Sequence, residues 1–318
     1  MRRALPALFA CLLCALPPAA TAQAFPVRPV RIVVGAPPGG GIDLVARLLA
    51  ARLQDQLGGA VVVENRPGAS GAIAAEQVRG AAPDGHALLA GFSAQMVMAP
   101  ATEPGLGYDP IRDFEPVART GIFPVLLVVN PSLHVHSVQD LVREAKAHPG
   151  ALNAATGSAG FLFATAAFKQ MTGAQLRDVP YTGSANAVAA LLAGTVDLAF
   201  VDAPPAIGHV HAGRLRALGV TSAQRVAALA DVPAIAEAVP GYEVVLWTGL
   251  FAPAATARAV LDRLQQETAR ALAAPETRER LQAAGVLPAP STAQEFGEIL
   301  RRDLAQARRL APAAAAKP

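Results

Sequence analysis

Apolar positions along the chain fall into two kinds of run. Short, nearly continuous stretches at 31–34, 60–63, 87–90, 153–156, 195–201 and 215–220 have the length and composition of buried strands. A stronger one, FPVLLVV at 123–129, ends at Asn130-Pro131. Between them lie segments with apolar residues every three or four positions. In the first, Leu44, Val45, Leu48, Leu49, Leu53 and Leu57 share one helical face, and Gly58-Gly59 stops it. Further helices are expected at 70–79 and 185–193, after Ser137 with its cap partner Asp140, and at Pro204-Pro205. Residues 108–117 read as a loop, 242–247 and 250–252 as two strands, and 256–274, 275–284 and 292–310 as helices, with a frayed tail at 311–318. Strands alternating with helices predict an α/β fold with mainly parallel sheets. The closing helices bring no sheet of their own, so they are expected to pack back on the first part of the chain. That arrangement makes two doubly wound lobes with a ligand cleft between them, the second inserted into the first.

The stretch at 30–57 organises the rest. Between its strand and its helix stands Ala36-Pro37-Pro38-Gly39-Gly40-Gly41. Glycines there let the backbone take φ > 0 and let a ligand reach main-chain N–H groups. The helix start adds unpaired donors and a partial positive charge, which suits an anion. A phosphate is disfavoured, because neither G-x-G-x-x-G nor the Gly-Lys-Ser/Thr of a P-loop is present. A carboxylate fits better. The same turn also serves as a tight strand-to-helix connection that binds nothing.

Composition narrows the field. The 318 residues are 53% hydrophobic and 16% charged, enough for two cores, and aromatics at 5% argue against base-stacking surfaces. Arg2-Arg3, the apolar run 5–16 and the small residues at 20–24 read as a signal peptide over residues 1–24, too short to span a bilayer as a mature helix. Both cysteines, Cys11 and Cys14, fall inside it, so no disulfide is expected in the mature protein. Losing Arg2 and Arg3 leaves 25 basic residues against 24 acidic ones, with no long basic run; no nucleic-acid partner is expected.

Several motifs, in order, resemble one family: VVGAPPGGGID (33–43), VVENRPGASG (62–71), APDG (82–85), VPYTGS (179–184), GTVDLAFVD (194–202) and GRLRALGVTS (213–222). Tyr108-Asp109-Pro110, Asp231-Val232-Pro233, Pro240-Gly241-Tyr242 and Pro275-Glu276 extend the match to nearly all of 25–310. The chain resembles the periplasmic solute-binding receptors of tripartite tricarboxylate transporters, also called Bug receptors. The resemblance implies a two-lobed periplasmic binding protein of the Venus-flytrap type, without enzymatic activity or cofactor. It captures a small carboxylate (a di- or tricarboxylate, an acidic amino acid or an aromatic acid) and passes it to integral-membrane transporter subunits. The implied lobes are 25–124 with 248–318, and 125–247. Carried over by motif, the ligand-binding positions are Ala36, Pro38, Gly39, Gly40, Gly41, Asp43, Ser93 and Gln95 in the first lobe. In the second they are Thr156, Gly157, Ser158, Tyr181, Gly183, Ser184 and Asp202. Asp43 or Asp202 orients loops or receives a ligand amine. A monomer is expected.

Two departures make the cleft more apolar than the family pattern. Ile42 stands where a threonine is expected, and Leu162 and Phe163 follow a turn at 156–160 that is shorter than usual. They point to a monocarboxylate with an apolar or aromatic body. Other readings are weaker. Ser93 lacks the second glycine of a nucleophile elbow, so a hydrolase is disfavoured. His134 with His136, and His209 with His211, lack further metal ligands nearby, and solvated histidines explain them. A scaffold would use Trp247 and Tyr181 as core aromatics. A sensor that presents its ligand to a signalling partner shares the same site.

Overall fold

The computed structural model describes residues 25–103, 105–156, 159–181, 183–226 and 229–315. The segment expected to be a signal peptide, with its two cysteines, and the expected site positions Gly157 and Ser158 lie outside them. The chain opens with β1 (Val30–Val34), α1 (Gly41–Leu57), β2 (Val61–Asn65), α2 (Ala72–Arg79) and β3 (Ala87–Phe92). A π-helical turn at Ala94–Met98 runs into α3 (Ala99–Thr102), and β4 (Phe114–Phe123) follows. Then come β5 (Val125–Val129), α4 (Val138–Ala147), β6 (Asn153–Thr156), α5 (Ala159–Thr172), β7 (Arg177–Pro180), α6 (Gly183–Leu192), β8 (Leu198–Asp202), α7 (Ala203–His211) and β9 (Arg216–Val220). The chain closes with β10 (Leu246–Pro253), α8 (Arg258–Ala273), α9 (Pro275–Ala283), β11 (Leu287–Pro288) and α10 (Ala293–Ala315).

Two sheets result, ordered β11-β4-β10-β3-β1-β2 and β7-β6-β8-β5-β9. Both are mixed rather than mainly parallel. β2, β1 and β3 run parallel, as do β7, β6 and β8, but β4, β5, β9, β10 and β11 join antiparallel. The strands that carry the chain between the sheets, and those beside them, are the reason. β4 ends at Phe123 in the first sheet and β5 begins at Val125 in the second, with only Pro124 between. The Pro124 carbonyl accepts from Ala203 N–H at 3.3 Å, and Val125 O accepts from Thr221 N–H at 3.0 Å. The return runs from β9 to β10, where Leu246 already pairs with Phe123.

Period-two burial explains the apolar runs. In β1, Ile32 and Val34 pack with α1 and α8, whereas Val33 faces the cluster of α2 and α10. In β5, Leu126 and Val128 join α6 and α7, whereas Leu127 and Val129 join α4 and α5. Strands with helices on both faces need apolar residues on both. One cluster is continuous across both sheets, and α10 contributes Phe296, Leu300, Ala307 and Leu310 to it.

Several expectations need correction. The expected loop at 108–117 gives way at Phe114 to the ten-residue strand β4. Pro116 and Gly121 hide it in the sequence; a register shift at Leu250/Phe251 accommodates the proline, as bulges do. The strands expected at 242–247 and 250–252 are one strand, β10, interrupted by a second shift at Thr248/Gly249. The edge strand β7 and the two-residue β11 carry no local signal and were not expected. α10 continues through the expected frayed tail as far as Ala315. The Ser137 cap is present: its Oγ accepts from Asp140 N–H at 3.0 Å.

Candidate functional site

A cleft of about 680 Å³ opens where the glycine turn, the β4–β5 crossing and the start of α7 meet. From the first sheet's side it is lined by Pro38, Gly39, Gly40, Gly41, Asp43 and Leu44, with Arg47 one turn further along α1. Phe123 and Pro124 form the floor, Asp202 and Pro205 the opposite wall, and Ala284-Gly285 the rim after α9.

The turn is held in shape by a buried carboxylate. Asp43 is 2% exposed. Its Oδ2 accepts from Gly39 N–H at 2.8 Å and from Arg47 Nε–H at 2.9 Å; its Oδ1 accepts from Asn65 Nδ2–H at 2.9 Å. The Asn65 amide also donates to Ala36 O at 3.1 Å, and its Oδ1 accepts from Arg47 at 3.0 Å. Asp43 and Asn65 thus clamp both ends of residues 36–39. Gly39 sits at φ 85°, a conformation other residues adopt at a cost. Burial on its own pushes the Asp43 carboxyl up, but the bonds from Arg47, Gly39 and Asn65 together hold it below the usual carboxylate range.

The two walls differ in what they offer an anion. The α1 ladder begins with Leu44 N–H donating to Gly40 O at 2.9 Å. The N–H groups of Gly41, Ile42 and Asp43 therefore have no intrahelical acceptor, and the dipole adds partial positive charge. Gly41 has no Cβ, which lets Phe123 come against the helix start. α7 is poor in donors by comparison. Its Ala203 N–H is taken by Pro124 O, and Pro204 and Pro205 have none to give. Asp202 precedes it, accepting from Ser184 Oγ–H at 3.0 Å. Burial pushes the Asp202 carboxyl up, and the Ser184 bond only partly offsets this. One end of the cleft thus suits a carboxylate. The other suits a neutral group or a cation.

Of the expected positions, Pro38, Gly39, Gly40, Gly41, Asp43 and Asp202 line the cleft together, with Ala36 clamped just behind. Ser184 reaches it through Asp202, and Gly183 is the first residue of α6. Thr156 is buried, its hydroxyl directed to Val179 O at 3.4 Å, and Tyr181 N–H donates to Thr156 O at 2.9 Å while its ring packs with the α6–α7 cluster. Ser93 and Gln95 are not in the lining. Ser93 Oγ accepts from Trp247 N–H at 3.3 Å. The π-helical turn carries Gln95 inward, where it is fully buried and donates to Gly71 O at 2.6 Å. Sequence reasoning missed Asn65, Arg47, Phe123, Pro124, Pro205, Ala284 and Gly285. Arg47 was findable, standing one helical turn after Asp43; Ala284-Gly285 gave no signal.

Residues 45–314 match the model of the tripartite tricarboxylate transporter family receptor. The chain belongs to this receptor family. The family is one of binding receptors rather than enzymes. The receptor is similar to BugT of Bordetella pertussis, at 36% identity over 278 residues, 86% of this chain and 85% of BugT. It is similar to the solved structure of R. palustris Rpa4515 with adipate, at TM-score 0.77 and 34% identity, covering 92% of this chain and 98% of that one. MatC from Rhodopseudomonas palustris with bound malate matches at TM-score 0.74 and 31% identity, over 90% of this chain and 100% of that one. The receptor has the two-lobed α/β fold of periplasmic binding proteins.

Proposed function

We propose that this receptor captures a small carboxylate in the cleft between its lobes and delivers it to the membrane subunits of a tripartite tricarboxylate-type transporter. The observation that supports the reading is the α1 glycine turn, whose first N–H groups have no intrahelical acceptor and whose residues line a cleft large enough for a small organic acid. Adipate and malate, bound by the two R. palustris relatives, are both small carboxylates and support the class. The charged end docks on the N–H groups of Gly41 and Ile42. The body lies against Phe123, Pro124 and Leu44, and the far end meets Asp202, which disfavours a second carboxylate there. A monocarboxylate with an apolar body, or an amino acid, follows from that asymmetry. The lobes divide at Pro124 and ahead of Leu246, and closure about these crossings traps the ligand. A cleaved signal peptide and a periplasmic location complete the proposal; among the described residues no helix is long and apolar enough to cross a membrane.

The test is thermal-shift screening of refolded, ligand-free protein against monocarboxylates, dicarboxylates, citrate and amino acids, followed by small-angle scattering with each hit. Binding to the native state raises the melting temperature by mass action. A shift from one class, with a smaller radius of gyration, supports a carboxylate trap. Flat curves from folded protein across the panel would overturn it.

A further inference from the structure

A second cavity, of about 370 Å³, lies on the other side of the crossing from the cleft; Phe123 and Pro124 line both and form the wall between them. Its walls come from both sheets' layers. β4, β10 and α10 supply Arg119, Trp247, Ile299 and Arg302, and the segment after β9 supplies Thr221, Ser222 and Val226.

Arg119 is the cation of this cavity without a carboxylate partner. Its Nε–H donates to the Ala289 carbonyl at 3.2 Å, and no ion pair engages it among the described residues. The other cations there are committed. Arg302 pairs with its neighbour Asp303 at 3.0 Å, and Arg225 pairs with Glu237 at 2.8 Å. Asp303 is in turn occupied by Trp247 Nε1–H at 2.8 Å. Arg119 is half-buried, and burial pulls its guanidinium down from the usual arginine range, with the charges of Asp303, Glu295 and Glu243 opposing; Asp303 and Glu243 also line the cavity. A half-buried guanidinium that lines a cavity beside Phe123, Pro124, Val226 and Trp247, and that no ion pair engages among the described residues, offers charge and planar donors to a carboxylate.

We propose that this cavity is a second binding site, for a monocarboxylate with an apolar or aromatic body, whose carboxylate pairs with Arg119. The ring or chain of the ligand packs on Phe123, Pro124, Val226 and Trp247. An occupant there touches both lobes' walls at the crossing. Its binding is therefore coupled to the geometry of the cleft, and the coupling is reciprocal.

The probe is 4-fluorobenzoate, followed by fluorine NMR on protein carrying Gly40→Trp. Gly40 lines the cleft, has ordinary extended backbone at φ −80°, and a Cβ there meets only Pro37 O, at 3.8 Å, so an indole is placed there to obstruct the cleft. That background reports on the second cavity alone, whatever the cleft binds. One saturable site is expected to remain. Adding Arg119→Met weakens it by about tenfold or more, the loss of a charged pair. Ser222→Phe, which fills the cavity from the opposite wall, weakens it similarly and carries the test if the arginine variant does not fold. Absence of saturable binding to Gly40→Trp, or binding indifferent to both substitutions, overturns the proposal.

Discussion

Gly41 and Phe123 meet where a side chain on the glycine has no room: a Cβ at Gly41 would stand 2.6 Å from Phe123 Cε1. Phe123 is the last residue of β4 before Pro124 carries the chain into the second sheet. The ring therefore joins the start of α1, whose first N–H groups lack an intrahelical acceptor, to the Pro124 crossing between the two sheets.

Gly41→Ala tests that junction. Alanine favours the helix by up to about 1 kcal/mol, while a contact this tight costs about 1–3 kcal/mol elsewhere in packed cores. The melting temperature should therefore change little or fall modestly. Ligand affinity, by contrast, should drop about tenfold as the ring is pushed into the cleft. Adding Phe123→Ala should recover part of the loss, so calorimetric titration of the two single variants and the double variant reads the coupling directly.

Asp43→Asn removes the charge from the clamp. With its buried partners left incompletely paired, a loss of about 2–3 kcal/mol is expected by urea unfolding at neutral pH. The pH dependence has a definite sign. The folded Asp43 carboxyl lies below its ordinary value, so its contribution is present above the unfolded pKa of about 3.9 and vanishes as pH falls through the folded one. The stability gap between wild type and variant should hold from pH 7 to 5 and narrow below about pH 4. A gap constant with pH would mean that Asp43 acts through shape and not charge.

Asp202 has the opposite sign. Its folded carboxyl is raised by burial, so the native state keeps a proton that the unfolded chain has lost. Stability contributed by the protonated form is then lost as pH rises from the unfolded pKa of about 3.9 through the folded one. Asp202→Asn should remove this dependence and match or exceed wild-type stability at pH 7, since the amide oxygen still accepts from Ser184. Anionic ligands should bind the variant several-fold more tightly and amino acids more weakly. Calorimetry with one of each separates an ammonium partner from a loop-orienting residue.

Gln95→Leu separates contact from support. The side chain is fully buried on Gly71 O and outside the cleft lining, and its Oε1 has no partner among the described residues. Losing the bond to Gly71 should cost about 1–2 kcal/mol, with ligand affinity within about twofold of wild type. A loss of a hundredfold at unchanged stability would place Gln95 against the ligand after all.

The elements most legible in the sequence were those whose signal is local. The strand, glycine turn and helix at 30–57 are written in residues that touch their own neighbours, and so is the Ser137–Asp140 cap. β4 and β7 leave no local signal because each is held by partners far along the chain. Phe114–Phe123 becomes a strand through its ladders with β10 and β11, not through its own alternation. The same division runs through the site. The donors at Gly41 to Asp43, and the Asp43 carboxylate that holds Gly39, follow from a motif of consecutive residues. Ser93 and Gln95 stand at a strand end, as expected of ligand contacts, yet a π-helical turn rotates Gln95 toward Gly71.

Determined by the sequence alone were the α/β class, the strand, glycine turn and helix at 30–57 and the receptor family, since each rests on short-range pattern or on ordered motifs. The tertiary structure decided which residues share the cleft. Phe123, Pro124, Asp202 and Ala284 meet there only because the crossing at Pro124 and the register of β4 on β10 bring distant segments to one place. Local sequence preference sets the conformation of each segment. Which faces remain open between segments is set by long-range packing, which no short window of sequence records.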